Sequence, residues 1–112
     1  MAWAKRVLTI AAAGIASAVA VTPAEAAASA RTHVVVIAKM KYGAVPTVRV
    51  GDTIVWVNKD ILRHTATARD RSFDVDLAPS ASAKTVIRHG GAVPFYCRFH
   101  PGMKGQINVA GK

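Results

Sequence analysis

The stretch "FYCRFHPGM", residues 95–103, carries the only cysteine of the chain, Cys97, with His100 three residues on and Met103 three beyond that. A thiol, an imidazole and a thioether thus share one short loop. "PFYCRF" (94–99) reads as a strand, which places Cys97 on rigid backbone at its end. Arg98 and Phe99 give the chain room to turn back, so that His100 can reach the same point as Cys97. Pro101 then restricts the backbone. Gly102 permits a turn that few other residues adopt and sets Met103 farther off.

The compartment makes the lone thiol more pointed. Lys5 and Arg6 precede an apolar, alanine-rich run from Val7 to about Val21, and Thr22-Pro23-Ala24-Glu25-Ala26 follows with a small-x-small pattern. This is the pattern of a secretory signal peptide over residues 1–26, cut after Ala26. A run of roughly 15 apolar residues falls short of the ~20 that span a bilayer, so a stable membrane anchor is not expected. Export to the periplasm puts the rest of the chain, 27–112, in an oxidising compartment as a single domain. There, a single cysteine bridges to another molecule, lies buried and inert, or is held by a metal.

Length and charge narrow the rest. One domain of this size builds only a modest core, and a metal would add stability that no internal disulfide can supply. The 112-residue chain has 15 Lys+Arg against 6 Asp+Glu, a formal net charge of +9. Export and the absence of helix-turn-helix or zinc-finger spacings argue against nucleic acid. What remains is an anionic membrane or an acidic protein surface as partner, or equally a basic exterior that serves only solubility.

From residue 33 onward the chain reads as short strands. "HVVVIA" (33–38), "TVRV" (47–50), "TIVWVN" (53–58), "KTVIR" (84–88), "PFYCRF" (94–99) and "QINVA" (106–110) are the candidates, with Trp56 as a core aromatic. "KYGAVP" (41–46) reads as a connection, and 59–83 as mixed, with Pro79 and small polar residues marking loops within it. No stretch keeps a helical period, so the expected class is all-β, a sandwich or barrel.

Thiolate, imidazole and thioether together select a soft or borderline metal, and copper uses all three. A trigonal site of two histidines and a cysteine with a weak axial methionine needs one more histidine. His33 opens the first strand and His89 lies in a glycine turn, so both read as surface residues. His64, just past the strongest strand, is the candidate. A structural zinc site favours more cysteines or histidines. A two-copper site needs two bridging cysteines, and haem attachment needs C-x-x-C-H, which is absent.

With these residues in place, the sequence resembles the cupredoxins, and within them the plastocyanin and amicyanin group. "MKY" (40–42), "VRVGDTIVWVN" (48–58), "DILRHTA" (60–66), "FD" (73–74) and "FYCRFHPGMKGQINV" (95–109) carry the resemblance in order, and the C-x2-H-x2-M spacing is similar to that of amicyanin. The resemblance implies a Greek-key β-sandwich and one type 1 copper held by His64, Cys97, His100 and Met103. It also implies a one-electron carrier, a monomer working between redox proteins such as a c-type cytochrome or a dehydrogenase. Its electron route leaves through His100, ringed by Phe99, Pro101 and Ala44 or Val45, with Arg63, Arg98 and Lys104 as a basic docking rim. One departure stands out. The family often has asparagine after the first histidine, tying the two ligand loops together, and here the residue is Thr65. A copper carrier that delivers the ion is the alternative, although such proteins favour open, methionine-rich sites. An enzyme with Cys97 as nucleophile has no surrounding motif to support it.

Overall fold

The computed structural model describes Gly14 and residues 29–111. Apart from Gly14, the expected leader 1–26 lies outside the described residues. Nine strands are present among them: β1 (Thr32–Ala38), β2 (Lys41–Tyr42), β3 (Val48–Arg49), β4 (Thr53–Asn58), β5 (His64–Ala68), β6 (Asp74–Leu77), β7 (Ser82–Val86), β8 (Gly91–Tyr96) and β9 (Lys104–Ala110). They form two sheets, β2-β1-β4-β7 and β3-β9-β8-β5-β6. β1 pairs parallel with β4, and β3 with β9, while the other pairs are antiparallel. This is the expected all-β Greek-key sandwich of the cupredoxin kind.

Period-two alternation builds the core. Ile54, Trp56 and Asn58 of β4 point inward, while Thr53, Val55 and Val57 are half-buried. Val35 and Ile37 of β1 line the same layer, and Phe95, Ile107 and Val109 face them from the second sheet. Four aromatic rings meet at the centre. Phe95 packs edge-on against Tyr42 at 4.7 Å and against Trp56 at 5.1 Å, and Phe73 lies beside Trp56 at 5.9 Å. Such edge-to-face pairs add to what burial alone contributes. The Trp56 indole N–H donates to Thr85 Oγ1 at 2.9 Å, so the ring buries without an unpaired donor. Gly105 lies against this cluster. A Cβ there would fall 2.5 Å from the Phe95 ring, so only glycine fits.

Several boundaries differ from the sequence reading. The stretch 59–83, read as mixed with no strand placed in it, holds β5, β6 and the start of β7. β5 reads "HTATA", with no large apolar residue to signal a strand, yet every residue of it is buried. Small side chains suffice there because β6 and β8 flank it on both sides. The expected connection 41–46 begins with β2, and β8 starts at Gly91, directly after the glycine turn that holds His89. β8 ends at Tyr96, so Cys97 is the first residue beyond the strand rather than its last.

Candidate metal centre

Two chain segments meet at one end of the sandwich. β4 ends at Asn58, and the loop 59–63 leads into His64, the first residue of β5. β8 ends at Tyr96, and the loop 97–103 leads into β9. Because β5 and β8 are neighbours in one sheet, His64 and Cys97 come together although 33 residues separate them.

The ligand atoms of His64, Cys97 and His100 all lie within 4.8 Å of one another. Cys97 Sγ is 3.9 Å from His64 Nδ1 and 3.7 Å from His100 Nδ1. Sulfur and nitrogen bound to one first-row ion at ~2.3 and ~2.0 Å, at a trigonal angle, stand roughly 3.7 Å apart. The spacing therefore suits one ion between them, and the mixed thiol–imidazole donors suit copper. Met103 is buried in the same cluster as Cys97. Two backbone bonds hold it there: its N–H donates to the His100 carbonyl at 2.8 Å, and its carbonyl accepts from the Cys97 N–H at 3.0 Å.

His64 and Cys97 are fully buried, whereas His100 is only half-buried and reaches the surface. Burial pushes the Cys97 thiol up, but the hydrogen bond from the Thr65 amide, then the contacts with the His64 and His100 rings and the Phe99 amide, outweigh it and bring the thiol down to about 6. The donor set thus favours thiolate, the form that binds metal. Burial, reinforced by the charge of Cys97, pushes the Tyr42 hydroxyl up.

Thr65 answers the departure noted in the sequence. Its amide donates to Cys97 Sγ at 3.3 Å. Its carbonyl accepts from the Tyr42 hydroxyl. Its Oγ1 accepts from the Arg98 amide at 2.8 Å and donates to Thr67 Oγ1 at 2.9 Å, because the Thr67 hydrogen is committed to Asp74 at 2.7 Å. The hydroxyl chain therefore ties the loop after Cys97 to β5, the task that an asparagine amide performs elsewhere.

Sequence reading missed two further residues. Asp60 Oδ2 accepts from His64 Nε2 at 2.9 Å and from the Met40 amide at 3.0 Å. The bond from His64, and then that from Met40, hold the Asp60 carboxyl below the usual range. Asn58, fully buried, donates to the Leu62 and Leu77 carbonyls at 2.8 and 3.0 Å and accepts from the Asp60 amide at 2.9 Å, which shapes the whole 59–63 loop. The D-x3-H spacing of Asp60 and His64 was the available signal.

The surroundings differ in part from expectation. Phe99 is 47% exposed, as expected, but Ile61 at 87% and Leu62 at 43% extend the apolar surface more than Val45, which packs on the core. The basic rim is partly neutralised. Arg63 forms a two-point ion pair with Asp76 at 2.7 and 2.8 Å, and Arg98 pairs with Asp74 at 3.2 Å. His33, expected at the surface, is largely buried against Asp52 at 2.8 Å.

No protein-family model matches the sequence, and no curated relative does either. Solved structures do. The chain is similar to the reduced state of an amicyanin proline-to-phenylalanine mutant, at 29% identity and TM-score 0.62, over 74% of this chain and 88% of that one. It shares its fold with a purple cupredoxin from Nitrosopumilus maritimus, at 20% identity and TM-score 0.60, over 70% and 99% of the two chains. It also shares its fold with part of a copper-containing nitrite reductase from Thermus scotoductus, at 24% identity and TM-score 0.65, over 72% of this chain and 23% of that one.

Proposed function

We propose that this chain of cupredoxin fold is an exported, periplasmic carrier of single electrons, with one type 1 copper held by His64, Cys97, His100 and Met103. The observation that carries this reading is the placement of the Cys97 thiol between two imidazole nitrogens, at 3.9 and 3.7 Å, with one imidazole buried and the other reaching the surface. Copper bound there supplies a one-electron Cu(II)/Cu(I) couple.

The protein's own part is to hold the donors still. The Thr65 amide and hydroxyl fix Cys97 and the start of its loop, and the 97–103 hairpin bonds fix His100 and Met103. Donors held this way keep nearly one arrangement through both oxidation states, which lowers the cost of electron transfer. His100 offers the electron route to the surface. Ile61, Leu62 and Phe99 surround this end with apolar area, so a redox partner docks mainly on apolar contact. Arg63 and Arg98 already have carboxylate partners and contribute less than their number suggests. The buried, thiolate-favouring cluster supports a retained ion over a delivered one. A nitrite reductase shares the fold over 23% of its own length, and nothing in that overlap supports an enzymatic reading here.

Copper loading of the purified protein, followed by visible absorption, tests the reading. An intense band near ~600 nm is expected, lost on reduction and absent in Cys97→Ala. A colourless copper-loaded protein, or equal copper affinity in Cys97→Ala, overturns it.

A further inference from the structure

We propose that Asp60 is a positioning residue for the metal centre: its carboxylate holds the His64 ring with Nδ1 free towards Cys97 and enriches that nitrogen as a donor. This rests on the copper-site reading above for its redox part, but its structural part stands on the copper-free protein.

His64 is fully buried, so its two ring nitrogens must both find partners inside the protein. One faces Cys97 Sγ, and the other lies 2.9 Å from Asp60 Oδ2. An ionised carboxylate accepts and does not donate, so the ring hydrogen sits on Nε2 and Nδ1 keeps its lone pair. Asp60 is itself held by three further bonds, two to its carboxylate and one from its backbone amide. Oδ2 also accepts from the Met40 amide at 3.0 Å, Oδ1 accepts from the Ile61 amide at 3.0 Å, and the Asp60 amide donates to Asn58 Oδ1 at 2.9 Å. Asp60 is thus aimed before any ion binds.

The Met40 bond has a cost that argues for a purpose. Lys39 and Met40 form the two-residue turn between β1 and β2, both with positive φ, at 51° and 61°. That turn favours asparagine and glycine, and larger side chains there are strained. The strained turn presents its amide to the same oxygen that holds His64. A carboxylate on the outer nitrogen of a ligating imidazole raises the ring's basicity. A more basic ring stabilises the more highly charged ion, so Asp60 favours Cu(II) over Cu(I).

The test uses the full protein with Asp60→Asn and Asp60→Ala. The copper-free forms are read by ¹⁵N NMR of the histidine rings, and the copper-loaded forms by redox titration of the visible band. The expected results are a hydrogen on His64 Nε2 in the parent, retained in Asp60→Asn and lost or mixed in Asp60→Ala. In Asp60→Asn the Cu(I)/Cu(II) ratio at fixed ambient potential rises about tenfold, ~59 mV for a one-electron couple. Asp60→Asn can still accept from the Met40 amide, so it carries the test if Asp60→Ala does not fold. A parent His64 with its hydrogen on Nδ1, or a ratio changed less than about twofold in Asp60→Asn, overturns the proposal. If the parent gives no blue band while the ring hydrogen follows the variants as expected, the positioning role stands and the copper reading falls.

Discussion

Two histidine–carboxylate pairs stand at opposite ends of β4, and they do different things. At one end His33 Nε2 meets Asp52 Oδ2 at 2.8 Å, and at the other His64 Nε2 meets Asp60 Oδ2 at 2.9 Å. The pairs look alike in isolation, but their neighbours separate them. Asp52 also accepts from the Arg31 and Arg49 amides, both at 2.9 Å, so it clasps the start of β1, the end of β3 and the start of β4 together. Asp60 sits in a loop, and the histidine it holds turns its second nitrogen to a buried thiol. The first pair closes a sandwich, and the second aims a donor. A histidine's role is therefore read from what its other nitrogen faces, not from the carboxylate beside it.

The sharpest way to break this contrast is Asp52→Ala. It leaves two backbone amides and His33 without their acceptor, and a cost of about 3 kcal/mol in urea unfolding is expected. Copper binding in the folded fraction should be unchanged. A stable variant that has lost its copper would show that the two ends are not independent.

Acid provides a second way. Burial pushes the Asp52 carboxyl up, but bonds from the Arg31 amide, His33 and the Arg49 amide outweigh it and bring it from 3.8 to about 2. A carboxyl lowered on folding adds stability above its unfolded value and loses it as pH falls. Unfolding free energy should therefore drop as pH falls from about 4 to about 2. The slope over that range should flatten in Asp52→Asn, and an unchanged slope there would assign the acid sensitivity to other carboxylates.

The smallest effect is expected at the metal end, from Thr65→Val. The shape is kept, but the Arg98 amide loses its acceptor and Thr67 Oγ1 loses one of its two partners, a cost of roughly 1–2 kcal/mol. Thr65→Ser should recover most of it. If both variants equal the parent in urea midpoint, the hydroxyl does not tie the loops.

These contrasts also explain what the sequence could reveal. Cys97, His100 and Met103 were legible because one short loop carries them at regular spacing. His64 was legible because that trio called for a second imidazole. His33 was misread because nothing local marks a histidine whose carboxylate lies 19 residues away. Asn58 acts through loop carbonyls and amides, which leave no pattern in the side chains, and Asp60 left only its four-residue spacing from His64. β5 was missed for a related reason, since its "HTATA" owes its strand character to the neighbours that cover it rather than to its own residues. β4, with Trp56 at its centre, was legible directly as a strand because β-branched residues fill it.

The contact between Gly105 and the Phe95 ring has a consequence for alignment. The two residues are cross-strand partners, and the ring fills the space where a side chain at 105 would stand. A slip of β9 by one position along β8 would bring Lys104 or Gln106 to that space, and neither side chain can share it with a buried ring. Gly105 thus acts as a register key for the pair. β9 begins directly after Met103, whose carbonyl meets the Cys97 amide. A glycine with no donor atom of its own therefore sets how far along the strand the methionine stops, and so where the thioether stands relative to the thiol.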